Sequence, residues 1–411
     1  MVSVRQITTD ELAEWVRVQR SAYFMHPTRI DMASQERWFV DGEVFGAYEN
    51  NECVGTFRSS PYGIVVPGGN RVTAAGITSV AVTHTHRRRG ILNRMMHTAL
   101  ASCVSEGMVM AMLVPTEYTL YGRYGFGPAV KNGYIKVSNP KNAWNESLGA
   151  SLEGSVSLIT GEKVRDLGPN LYRKFQEMQA GAADRKPAWW SDVTGEWFLS
   201  RRAIQPFYVV HQDGAGNITG LAIYEATLSG ECGKNATLRV VDHIFLDDAA
   251  RNAIWRYIFS LSNVDSVIVD SIPIDDPLPL LLNDPGAAHV GSNPTLWLRI
   301  LDIAKVLSVR NYAASGSIAI SVRDSLGYCS GCWLLTVDES GKVTVTPTSQ
   351  MGDVELDVDS LSSLYMGGNN AITLRKAGAI RENRPGASEM LQEMFRVHEA
   401  PWFPANGLNL V

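Results

Sequence analysis

The chain has 411 residues, 45% hydrophobic and 19% charged, and 37 Lys and Arg against 42 Asp and Glu give a net charge of −5. At about 100–200 residues per domain this length implies two to four domains, and the composition is that of a folded globular protein rather than a disordered one. The acidic balance gives no global support to nonspecific nucleic-acid binding, and five cysteines in so long a chain cannot form a disulfide scaffold.

Cys329 and Cys332 form a single CxxC inside the strand-like run Tyr328–Val337. A zinc site needs a second ligand pair, and none stands at a suitable spacing, so both are read as ordinary strand cysteines and no metal is expected. The opening Met1-Val2-Ser3-Val4-Arg5 lacks the basic-then-apolar order of a signal peptide. The longest apolar stretch, near Met108–Val114, stops at Pro115, far short of the ~18–20 residues that cross a bilayer. The expected compartment is the cytoplasm, with no membrane partner.

Thr8-Thr9-Asp10-Glu11 reads as a capping box. Leu12, Trp15, Val16, Ala22 and Tyr23 follow at helical spacing. Strands are expected at Glu43–Tyr48, Glu52–Ser59 and Arg71–Val82, separated by turn residues such as Pro67-Gly68-Gly69-Asn70. After Gly90, apolar residues at 91, 92, 95, 96, 99, 100 and 103 lie on one helical face, and the buried-looking strand Met108–Val114 comes next. The order strand, helix, strand from 76 to 114 is a βαβ-type unit. A loose polar stretch around 139–157 marks a domain boundary. Beyond it, helices are expected near 163–179 and 187–204, strands at Phe207–Gln212, Ile218–Glu225 and Ala236–Leu246, a helix near 248–261 and a strand at Asp265–Asp270. That order repeats the first domain and suggests a diverged duplication. From about Leu296 the pattern changes to a helix at Ile303–Ser308, strands at Ser317–Val322, Gly331–Val337, Lys342–Pro347 and Val354–Val358, and helical segments at 360–377 and 386–396. The domains are therefore drawn as 1–140, 150–290 and 295–411.

The chemically informative segment is Val80-Ala81-Val82 followed by Thr83-His84-Thr85-His86-Arg87-Arg88-Arg89-Gly90-Ile91-Leu92. A strand ends, a short loop carries three arginines, and a glycine opens a strong amphipathic helix. The first turn of a helix offers unpaired N–H groups and the positive end of the macrodipole, which suits a diphosphate. Glycine lets the backbone come close, and an arginine can fork onto a terminal phosphate. A solvated basic loop before a core helix is the plainer reading of the same residues. The motifs GxxxxGK[ST], GxGxxG after a strand and HExxH do not occur. Tyr118, Tyr121 and Tyr124 follow the next strand as three candidate phenols.

The run Arg87-Arg88-Arg89-Gly90 after Val80-Ala81-Val82 resembles the acetyl-CoA signature of GCN5-related N-acetyltransferases, with Leu92 in place of the usual last small residue. That departure is similar to the Eis (enhanced intracellular survival) family of actinobacterial acetyltransferases. So are Tyr121–Gly127, Asp276–Leu282, Leu296–Leu301 and Leu364-Tyr365-Met366-Gly367-Gly368, which are spread over all three proposed domains. The resemblance implies an α+β (mixed α/β) fold of tandem GNAT-like domains followed by a sterol-carrier-protein-like domain, and a homohexamer built from trimers.

It also implies roles. Val80, Ala81 and Val82 would pair with the pantetheine arm of acetyl-CoA, the co-substrate, and one of their N–H groups would face the thioester oxygen. The backbone N–H groups of Arg88, Arg89, Gly90, Ile91, Leu92 and Asn93 would hold the diphosphate, with Arg87 also counted as cofactor-binding and Thr116 and Glu117 lining the cofactor. Tyr121 would be the general acid for the departing thiolate. A thiol near ~8.5 and a phenol near ~10 make that transfer roughly 2 kcal/mol uphill. The base would be the α-carboxylate of the last residue, here Val411, where the family typically ends in an aromatic residue. The apolar tail Trp402, Phe403, Leu408, Leu410, Val411 fits a buried terminus.

The acceptor would be a small-molecule amine, such as an aminoglycoside-like polyamine, or a lysine-bearing peptide. Phe24 and Trp38 are candidate pocket walls and Glu36 a candidate carboxylate for the amine, with Asp31, Asp41 and Glu43 as further acidic candidates. The rival reading is a lipid-binding or scaffold protein with a vestigial transferase site. Retention of both the arginine loop and Tyr121 argues against it.

Overall fold

In the computed structural model the described residues are 2–27, 42–141, 143–148, 153–194, 205–229 and 235–404. They divide into two compact units. One is formed by the residues through Val130 together with Thr295–His398, the other by Lys131–Pro294 together with the described residues from Glu399.

The first unit opens with strand β1 (Ser3–Gln6) and helix α1 (Leu12–Ala22), the latter preceded by one 3-10 turn. The expected capping box forms there, with Glu11 accepting from the Thr8 N–H at 2.9 Å. Next come β2 (Glu43–Glu49), β3 (Glu52–Val65), β4 (Arg71–Val82), helix α2 (Ile91–Ser105), β5 (Met110–Leu113) and the single turn α3 (Tyr118–Tyr121). The strands lie in the order β1-β2-β3-β4-β5. All pairings are antiparallel except β4 with β5. The apolar face of α2 (Ile91, Met95, Met96, Ala99, Leu100, Cys103) is buried against Phe45, Phe57, Ala75, Ile77 and Leu113. Trp297–Ile300, in the long strand Ala288–Ile300, continue this sheet by pairing antiparallel with β5.

The rest of the first unit is a five-stranded sheet in which Gly316–Arg323 pairs antiparallel with Gly331–Val337 and parallel with Val354–Asp357. Its tie to the first sheet is a buried ion pair. Arg299 forks onto both oxygens of Asp324 at 2.7 Å, and both side chains are almost wholly out of water. The single helical segment expected at 360–377 is two helices, Val358–Tyr365 and Ala371–Lys376. They are separated at Gly367, whose φ of +81° ends the first helix.

In the second unit the order of strands is the continuation of Gly127–Ser138, then Val264–Ile272, Asn235–Phe245, Ile218–Ser229, Phe207–Gln212 and Ser155–Ile159. Ser155–Ile159 falls at the end of the stretch read as a loose linker. It pairs on one side only, with Phe207–Gln212, and such a short edge strand carries little apolar signal. The helix expected at 187–204 runs Pro187–Val193; residues 195–204 lie outside the described residues. Helices Gly161–Met178 and Asp248–Ser260 bury aromatic cores on this sheet.

The four described cysteines are free thiols. Burial pushes the Cys329 thiol up to about 12, which disfavours the nucleophilic thiolate form. Among the described residues no helix is long and apolar enough to cross a membrane, and no group of three or more His, Cys, Asp and Glu side chains is placed to hold a metal.

Candidate active site

Strands β4 and β5 pair only at Ala74–Gly76 with Met110–Met112. Beyond Gly76 they part, and the C-terminal half of β4 keeps its β3 partner while its other edge has no strand beside it among the described residues. The pairing with β3 shifts register between Thr56 and Arg58, so that Ser79 and Val80 stand opposite the single residue Phe57, with Ser79 at a φ of +56°. This is a β-bulge, a device that re-aims a strand's peptide groups. Thr83 N–H bonds to Val54 O at 3.0 Å. The alternation of an antiparallel pair then turns the peptide groups of Val82 and Val80 toward the open edge.

A cleft of about 490 Å³ follows that edge. It is lined by Val80, Ala81, Val82, Arg87, Arg88, Gly90, Ile91, Leu92, Asn93, Thr116, Glu117 and Tyr121, so the structure brings together every expected cofactor contact except Arg89. Arg89 instead lies 2.6 Å from Glu49, whose other carboxylate oxygen is 3.2 Å from His86 Nε2. The hydrogen bond from Arg89 holds the Glu49 carboxyl below its ordinary range. Of the three consecutive arginines, Arg87 and Arg88 line the cleft, whereas the Arg89 side chain is paired with Glu49.

The start of α2 fits a diphosphate. Arg94 is the first residue of the helix to bond back, to Gly90 O at 3.1 Å, which leaves the Ile91, Leu92 and Asn93 amides unpaired within the helix. Gly90 has a φ of +75° and Arg88 one of +62°, and alternating left-handed residues converge backbone N–H groups into an anion-binding concavity. A Cβ built on Gly90 meets no atom within 4 Å. Glycine is required there for its φ, and the space in front of it is open to a ligand.

The three tyrosines separate. Tyr118 is half exposed, its ring 6.0 Å from that of Trp297, and it does not line the cleft. Tyr124 also lines the cleft, but it is buried edge-on to His97. Tyr121 lines the cleft with 6% exposure, its ring edge-on to Phe126 at 6.2 Å. No described residue hydrogen-bonds its hydroxyl, so its O–H is free to face a ligand. Burial first, and then the neighbouring Tyr23 and Glu117, push its phenol well above the ordinary range.

The acceptor-side expectations fare differently. Phe24 is 86% exposed with a φ of +60°, its ring stacked on His84 at 4.5 Å, and it does not line the cleft. Glu43 is engaged by Ser102 and Gln6 and does not line it either. Trp38, Glu36, Asp31, Asp41 and Val411 lie outside the described residues. The sequence reading missed Tyr23, which lines the cleft from the end of α1. Its helical spacing had marked it only as an apolar-face residue.

The second unit repeats the parting strands without the anion cradle. Asn235–Phe245 pairs parallel with Val264–Ile272 only as far as Val240. The helix that follows starts with Asp247, whose carboxylate accepts from the Ala250 N–H at 2.7 Å, and Asp248 sits in its first turn. Trp402 is buried against His243, with ring centroids 4.8 Å apart, and donates to Ser271 Oγ at 2.9 Å.

Comparison with known proteins places this geometry. Family models described as acetyltransferase (GNAT) domains match residues 3–129 and 181–300, and one described as a sterol carrier protein domain matches 303–404. The chain is 35% identical over 413 residues to an uncharacterized N-acetyltransferase of Streptomyces avermitilis, covering 98% of both. It is 29% identical over 353 residues to N-acetyltransferase Eis of Mycobacterium tuberculosis, covering 83% of both. The chain belongs to the Eis-like N-acetyltransferases. Its fold agrees: the crystal structure of Eis1 from Mycobacterium abscessus matches this Eis-like chain with a TM-score of 0.84 and 26% identity, over 97% of this chain and 98% of that one. The enzyme is thus a GNAT acyltransferase with two tandem GNAT domains and a sterol-carrier-like domain.

Proposed function

We propose that this enzyme transfers the acetyl group of acetyl-CoA to the amine of a polyamine of the aminoglycoside type or of a lysine side chain, with the reaction centred between Val80 and Tyr121. The observation that carries this reading is the single cleft that joins the open edge of β4, the unpaired amides of α2 and the free hydroxyl of Tyr121. An extended pantetheine arm can pair with the Val82 and Val80 peptide groups as an added strand would. The diphosphate is held by the Ile91–Asn93 amides with Arg87 and Arg88 beside it.

In the chemical step the neutral amine attacks the thioester carbonyl carbon, and a β4 N–H stabilises the negative charge that grows on its oxygen. The C–S bond then breaks. The departing sulfur takes the Tyr121 hydroxyl proton, and the nitrogen loses its own proton to a base. The products are the acetamide and CoA thiol. The family resemblance alone assigns the base to the Val411 carboxylate, and a single glycine added after Val411 tests this by moving that carboxylate.

Tyr121 stays protonated because its surroundings oppose the phenolate. It therefore acts chiefly as a hydrogen-bond donor until negative charge on sulfur makes transfer favourable. Release of free thiol from acetyl-CoA on addition of an amine panel tests the reading. Amine-dependent release supports it, and the absence of release with every amine counts against it.

A further inference from the structure

Tyr23 lines the same cleft as Tyr121, and the steps above do not use it. It stands directly after α1, and its hydroxyl reaches the bulge of β4. That bulge is held by three side chains. Thr56 Oγ1 donates to Ser79 O at 2.8 Å, Gln19 Nε2 donates to Ser79 Oγ at 3.1 Å, and Tyr23 Oη donates to Val80 O at 3.3 Å. Thr116 lines the cleft with Tyr23, and while burial pushes the Tyr23 phenol up, the nearby Thr116 hydroxyl opposes that shift. Tyr23 thus holds β4 where it no longer pairs with β5, and it shares the cleft wall with Thr116 of the segment that follows β5.

This link decides what the open edge can offer. A ligand lying along β4 like an added strand meets the Val82 peptide group, whose oxygen is approached by Arg87 Nε at 3.4 Å. The next outward-facing group is that of Val80, and its oxygen is already taken by Tyr23. Only the Val80 N–H remains as a donor, so strand-like pairing ends there. A slip of one residue in such pairing moves the ligand by about 3.4 Å, enough to carry a thioester oxygen out of hydrogen-bond reach of any one amide.

We propose that Tyr23 is a positioning residue for acetyl transfer: its phenol, bonded to the Val80 carbonyl, ends the pairing of the pantetheine arm at Val80 and sets the thioester oxygen on the Val80 N–H. The inference rests on the acetyl-CoA reading given above and adds to it a residue that sets register rather than affinity.

The test is Tyr23→Phe in the full chain, which keeps the ring and removes the hydroxyl. Acetyl-CoA affinity by calorimetry should stay within about threefold, and the melting temperature should not change. The turnover number should fall about 10- to 100-fold, the loss expected from misplacing a reacting group by about an ångström. Difference infrared spectra with acetyl-CoA isotope-labelled at the acetyl carbonyl supply a readout that a merely structural role would not move. The bound carbonyl band should sit below the free one in the wild type and return toward it in Tyr23→Phe. Thr116→Val should act in the same direction, and the double variant should be no worse than the poorer single one, because Thr116 would act only through the neighbouring Tyr23 phenol.

Wild-type turnover and band position in Tyr23→Phe overturn the proposal. So does a multiplicative loss in the double variant, or loss of acetyl-CoA binding in Tyr23→Phe, which makes the residue a binding wall. Should the phenylalanine variant not fold, Thr116→Val with the same infrared readout decides. A wild-type protein that binds no acetyl-CoA defeats the underlying reading as well, and calorimetry on the wild type identifies that case first.

Discussion

Arg89 and Glu49 form an ion pair across 2.6 Å that turns one of three consecutive arginines away from the cleft. Arg87 and Arg88 remain on the cleft wall, and Arg88 holds a left-handed backbone beside Gly90. Arg88→Gln should therefore weaken acetyl-CoA binding about tenfold or more, since hydrogen bonds to charged groups contribute about 1.5–3 kcal/mol. Arg89→Gln should weaken it by less than about fivefold, because an exposed ion pair contributes ~0–1 kcal/mol. Isothermal titration of the two variants checks the order, and equal losses would return Arg89 to the diphosphate.

Tyr121→Phe should retain acetyl-CoA affinity and lose about 10²- to 10⁴-fold in turnover, the range of a general acid. The pH profile supplies an independent check. Burial raises the phenol above its ordinary value, so the proton-bearing form persists through the alkaline range. The acceptor must be a neutral amine, with an ordinary value near ~10.4 for lysine. Turnover should rise with pH toward that value, with no falling limb below about pH 10 that disappears in Tyr121→Phe. Stopped assays of kcat from pH 6 upward, on the order of one-unit steps, read both limbs.

Acetyl-CoA should bind once per chain. The second GNAT domain keeps the parted strands, but Asp247 and Asp248 occupy the helix start where the first has unpaired amides and Gly90. A carboxylate capping the helix competes directly with an anionic ligand. The place beside His243 is filled by Trp402. A calorimetric stoichiometry of one, abolished by Arg88→Gln combined with Arg87→Gln, is the expected result. A second equivalent that survives this double change would mean that the Asp247 cleft also binds.

Much of this was legible in the residues themselves. The face 91, 92, 95, 96, 99, 100 and 103 predicts α2, and all of these positions but the half-buried Leu92 are buried as expected. Gly90 announces the helix start because only a turn with positive φ needs it there. What was not legible depends on partners distant in sequence. The bulge at Ser79 and Val80 arises from register with Phe57, and the diversion of Arg89 depends on a glutamate forty positions earlier. Tyr23 has the spacing of a core residue, and only the meeting of α1 with β4 gives its hydroxyl a partner. Phe24 is a similar case. Its aromatic side chain suits a pocket wall by type alone, and its stack on His84 at the surface could be seen only in the fold.

The buried Arg299–Asp324 pair should dominate the stability of the first unit. Asp324 also accepts from the Leu326 and Cys329 N–H groups, so its loss strands a buried guanidinium and two amides. Asp324→Ala should destabilise by about 3–5 kcal/mol, whereas replacing both partners with apolar residues should cost less. Urea denaturation of the single and double variants checks the sign of the difference. A smaller loss in the single variant would mean that water reaches Arg299.

A crystal structure of the enzyme with acetyl-CoA tests the assignment of the cleft most directly. The account predicts the diphosphate within hydrogen-bond reach of the Ile91, Leu92 and Asn93 amides and the thioester between Val80 and the Tyr121 hydroxyl. Acetyl-CoA bound elsewhere on the chain, or with its thioester turned away from Tyr121, would contradict it.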